Sequence, residues 1–213
     1  MPLSRRLLIG FTVFVAATTV ALSAFGATAH QLDMAGLVNH SDVIVIAQVN
    51  STSAAMGDDG RVYTTIDFET QDVLLGPSVK SFQLRQIGGV DPDTGIGTHA
   101  PGLPHFLDGE RVFLFLEQTS SQLVLTGLAQ GKFTVARGPD GESDFVIPQL
   151  RGLRTLPSGF GDADPLPSTK PPTLTTHDSL YSRTHRLDLF KEAVRQTIDA
   201  LHHSDSDTSE GAP

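Results

Sequence analysis

The chain has 213 residues, a formal net charge of −9 and no cysteine. Its length suits one ordinary domain with tails, and the missing cysteine excludes disulfides, thiolate zinc sites and cysteine nucleophiles. An acidic surface repels phosphate backbones and anionic lipid, and no basic cluster interleaved with aromatics offsets it, so nucleic acid is not expected as a partner.

At the start, Arg5 and Arg6 precede an apolar stretch from Leu7 to Phe25, which closes on Ala27-Thr28-Ala29. A basic start, an apolar centre and a small-x-small end predict a signal peptide over residues 1–29. The stretch approaches the roughly 20 residues that span a bilayer. Thr12, Thr18, Thr19, Ser23 and Gly26 interrupt it, however, and favour cleavage over anchoring. The expected product is secreted or periplasmic, begins at His30 and has no stable membrane insertion. Without residues 1–29 the chain keeps 184 of its 213 residues, with 13 Lys and Arg against 24 Asp and Glu, a net charge of −11.

Residues 30–150 predict a mainly β domain. Apolar positions Leu32, Ala35, Leu37 and Val38, with Asp33 near the start, predict a short N-terminal helix. The unbroken run Asp42–Val49 predicts a strand buried on both faces. After the turn Gly57–Gly60, Val62 to Gln71 alternate with a period of two, the mark of a half-exposed strand that ends at Gly76-Pro77. Ser81–Gln86 predict a third strand. Residues 88–109 are rich in glycine and proline and predict a long loop, of the kind that is either functional or mobile. Further strands follow at 111–116, which is again continuously apolar, and at 122–128, 132–136 and 144–147. Seven short strands with tight turns predict a barrel or sandwich.

Residues 151–185 contain the Pro, Gly and Ser-rich stretch 157–172 and predict a linker. Leu187, Phe190, Val194, Ile198 and Leu201 recur every three to four positions, which predicts an amphipathic C-terminal helix over 186–201 that packs back on the β domain. Residues 202–213 are polar and acidic and predict a disordered tail.

Candidate chemistry is sparse. His99 and His105 share the long loop with Asp91, Asp93 and Asp108, residue types that hold metal ions when a loop gathers them. Asp91-Pro92-Asp93-Thr94-Gly95 partly matches a calcium loop but lacks its third carboxylate and distal glutamate. His30, once freed by cleavage, would join an α-amine to an imidazole and could chelate copper or zinc with further ligands. No nucleophile elbow, His-Glu-x-x-His, phosphate loop or dinucleotide fingerprint occurs, so no enzyme and no cofactor is expected.

Three blocks carry a resemblance: Ser41–Val49; Tyr63–Phe68 running into Val73-Leu74-Leu75-Gly76; and Gly109-Glu110-Arg111-Val112-Phe113-Leu114-Phe115-Leu116. In this order they resemble a group of exported, uncharacterised bacterial proteins, and through it the chain is similar to the netrin-like module of the tissue inhibitors of metalloproteinases. The resemblance covers roughly residues 35–137. It implies a five-stranded OB-like Greek-key barrel with helical additions. In the eukaryotic inhibitors a disulfide-bonded N-terminal cysteine sets its amine and carbonyl on the protease zinc, whereas here His30 could supply only the α-amine. Three functions are carried forward: an exported non-catalytic module that recognises or inhibits an extracellular protease, a metal-binding or hydrolytic envelope domain using His30, His99 and His105, and a structural envelope protein whose C-terminal helix docks on a partner.

Overall fold

The computed structural model describes residues 27–139, 141–150, 153–156 and 180–209. Most of the expected signal peptide, residues 1–26, lies outside them, as do 140, 151–152, 157–179 and 210–213. The chain is mainly β. In order it forms β1 (Ala27–His30), α1 (Met34–Asn39), β2 (Val43–Met56), β3 (Val62–Leu75), β4 (Ser81–Ile87), β5 (Gly89–Val90), β6 (Gly97–Thr98) and β7 (Arg111–Gln118). Then come β8 (Leu123–Leu125), β9 (Lys132–Arg137), β10 (Asp144–Pro148), β11 (Leu153–Leu156), β12 (His185–Arg186) and α2 (Leu187–Ser209).

An antiparallel sheet runs β12-β10-β9-β7-β2-β3-β4, with β8 paired to the far end of β7. Register shifts in the β2–β3 ladder at Ile44/Val45, Ile46/Ala47 and Val49/Ser51 bend this pair, as bulges do. The curl brings β4 alongside β8, so the order β4-β3-β2-β7-β8 follows an OB-like Greek key. The sheet is not closed: among the described residues no ladder joins β4 to β8.

The two continuously apolar strands lie at the centre and are buried on both faces. Ile44, Ile46, Phe113 and Phe115 point to one side, where they meet Met34 and Leu37 of α1 and Phe190, Val194 and Ile198 of α2. Val43, Val45, Val49, Val112, Leu114 and Leu116 point to the other, against Ile66 and Phe68 of β3, Leu84 of β4 and Phe106. Asp33 caps α1, its carboxylate accepting from Gly36 N at 2.8 Å.

The structure departs from the sequence reading in several places. Only Leu123–Leu125 of the expected 122–128 strand is extended, because Gly127 (φ 63°) and Leu128 (φ 61°) turn left-handed into a 3₁₀ turn over Leu128–Gly131. A Cβ on Gly131 would stand 2.5 Å from Thr126 O and 2.8 Å from Phe115 O, so glycine is what lets the backbones meet there. The expected linker 151–185 contains strand β11, paired in parallel with β1, and ends in β12. The C-terminal helix outruns its predicted end, so residues 202–209 of the expected disordered tail are helical. Its apolar stripe packs on the chain's own sheet, which removes the helix as a ready-made docking element for a partner.

Candidate binding face

Residues 88–109 are not plain coil. Gly89–Val90 pairs with Gly97–Thr98 in a small hairpin. Inside its turn Asp91 is buried, its Oδ2 accepting from Thr94 Oγ1 at 2.5 Å, while Asp91 N donates to Ile96 O and Gly95 N to Asp91 O, both at 2.9 Å. Thr94 Oγ1 in turn accepts from Ile96 N at 3.3 Å, so the Asp91 carboxylate is engaged within its own loop.

The loop is then tied to the sheet and to the 3₁₀ turn at successive points. Val62 N donates to Thr98 Oγ1 (2.9 Å), Thr64 Oγ1 to Gly88 O (2.7 Å), Gln86 Nε2 to Pro104 O (2.9 Å) and Ala129 N to Gly102 O (3.1 Å). Phe106 plugs into the second core, edge-on to Phe68 at 5.3 Å.

The strongest tie is ionic. Lys132 on β9 is 3% exposed; its Nζ donates to both Glu110 oxygens at 2.9 Å and to His105 O at 2.5 Å, and stands 4.5 Å from the centre of the Phe106 ring. Glu110 also accepts from Thr134 Oγ1 (2.6 Å) and Leu107 N (3.2 Å). Desolvation pushes the Lys132 ammonium below its ordinary pKa, and the Glu110 carboxylate opposes that shift. Neither residue was singled out from sequence. The legible signal was the alternation of β9, which sets Phe133 and Val135 toward the helices and so must turn Lys132 and Thr134 to the opposite face.

Held this way, the loop lifts three large apolar side chains into solvent: Val90 is 61% exposed, Ile96 52% and Leu107 70%. Asp93 and Asp108 accompany them, Asp108 accepting from Thr52 Oγ1 at 2.9 Å, and residues 88–109 contain no Lys or Arg.

The expected metal ligands do not come together. His99, His105 and Asp93 are exposed, Asp91 is engaged inside its turn, and among the described residues no group of three or more His, Asp or Glu converges. His30 lies exposed at the end of β1. Its carbonyl accepts from Nε2 of the fully buried Gln130 at 2.8 Å, and the same amide's Oε1 accepts from Leu32 N at 2.8 Å. Tyr181 OH donates to Gln130 O at 2.9 Å, and burial pushes that phenol well above its ordinary pKa. The segment around His30 is therefore clamped by Gln130.

One further concavity, about 420 Å³, opens between β10 and α2. Its charges largely compensate: Arg111 and Arg137 face Asp144, Arg186 holds Asp188, and Lys191 holds Asp72. Arg111 first, and Arg137 with it, holds the Asp144 carboxyl below its ordinary range. Comparison with protein-family models, curated proteins and solved structures yields no match to this chain.

Proposed function

We propose that the chain is an exported, non-catalytic binding module that recognises a protein partner through residues 88–109. One observation carries the reading. A loop fastened by part-buried hydrogen bonds and an ion pair displays Val90, Ile96 and Leu107 to water, and large apolar side chains grouped on one well-tied loop suit an interaction site. Pre-organisation lowers the entropic cost of docking such anchors. The acidic surroundings favour a partner whose apolar pocket has a basic rim.

An extracellular zinc protease is the partner class to test, on the strength of the resemblance to the netrin-like module. The apolar loop is the surface proposed to dock, since the His30 carbonyl is engaged by Gln130. Purified mature protein mixed with extracellular zinc proteases of the same organism is expected to form a complex detectable by size-exclusion chromatography. Ile96→Asp and Leu107→Asp should each weaken it at least tenfold while leaving the circular dichroism spectrum unchanged. Absence of both complex and inhibition removes the protease reading, and undiminished binding by the two variants removes the loop.

A further inference from the structure

Strand β1 straddles the expected cleavage point. Its register with β11 is parallel and unbroken: Ala27 with Leu153, Thr28 with Arg154, Ala29 with Thr155 and His30 with Leu156. The pair forms a two-stranded sheet apart from the large one, so β11 has no other ladder partner among the described residues. A cut after Ala29 would remove three of the four residues of β1 and make His30, whose carbonyl accepts from Gln130, the first residue. The edge of β11 along Leu153–Thr155 loses its partner, and an unpaired edge is a template for another extended chain.

We propose that the cleaved protein accepts the extended C-terminal tail of a partner protein along Leu153–Thr155, parallel to β11. Direction and chemistry both follow from the strand that occupies the slot before cleavage. A parallel segment ends where Ala29 ended, next to the nitrogen of His30. Cleavage turns that nitrogen from an amide into a free α-amine, whose ordinary pKa near 7.7–8.0 keeps it largely protonated at neutral pH. A terminal carboxylate arriving there meets an ammonium group held in position, an arrangement that favours a free C-terminus over an internal segment.

The probe is the synthetic peptide Ala-Phe-Gly-Ala-Thr-Ala, residues 24–29, with a free or an amidated C-terminus. Intact mass should show that the exported protein starts at His30. Amides of residues 153–155 should exchange rapidly in that protein alone and at least tenfold more slowly with the free-acid peptide. The amidated peptide should bind at least fivefold more weakly, and of the Thr28→Pro and Ala29→Pro peptides the one whose amide points at β11 should lose binding, because proline removes a ladder donor and successive amides of a strand point to opposite sides. Four results would each overturn the proposal: a start other than His30, protection of residues 153–155 without peptide, no protection with it, or equal binding of acid and amide.

Discussion

Burial of the Lys132 ammonium against Glu110 is a balance between desolvation and a close, multiply hydrogen-bonded counter-ion. The pair joins the end of the long loop to β9, and three further groups, His105 O, Thr134 Oγ1 and Leu107 N, complete it. Removing one partner leaves an uncompensated buried charge. Lys132→Met should therefore destabilise the fold by about 3–5 kcal/mol, measured by urea unfolding, and should speed amide exchange at residues 105–110. A loss below about 1 kcal/mol, in the range of an exposed pair, would show that the tie is solvated in solution.

At the scale of elements, α2 is held by one stripe. Phe190 is fully buried, its ring edge-on to Phe113 at 5.0 Å, whereas the preceding Leu189 is 59% exposed. Adjacent residues on one helix should thus differ sharply: Phe190→Ala should cost about 3–5 kcal/mol and Leu189→Ala no more than about 0.5 kcal/mol. Thermal unfolding of the two variants checks this. Equal small effects would mean that α2 does not pack on its own sheet. The helix was legible beforehand because its spacing of three to four residues is local and regular. The 3₁₀ turn at Leu128–Gly131 was not, because it depends on Gly131 approaching Phe115, a residue distant in the chain.

For the molecule as a whole, the two cores share their strands. Ile44 and Ile46 belong to one core and Val43, Val45 and Val49 to the other, with the same division along β7. Neither core can open without disturbing β2 and β7. Unfolding should accordingly be a single transition, with far-ultraviolet dichroism and tyrosine absorbance coinciding, and Phe68→Ala on one side should lower the same midpoint as Phe190→Ala on the other. Two separated transitions would mean that the cores fold independently. Tyr63 on β3 and Tyr181, stacked on Phe133 in the helix-side core, are the chain's two tyrosines and report on different parts of it.

The sequence by itself determined the mainly β character, the short capped helix, the amphipathic C-terminal helix and the two central strands. Each rests on local periodicity or on an unbroken apolar run. The expectation of export rests on the first residues in the same local way. Tertiary structure alone decided how the loop residues are used. It spent Asp91 inside a turn, kept His30, His99 and His105 out of any cluster among the described residues, and buried Lys132 against Glu110. Those outcomes depend on which strands become neighbours, and pairing partners such as β1 and β11 lie more than a hundred residues apart in the chain. No window of neighbouring residues contains that information.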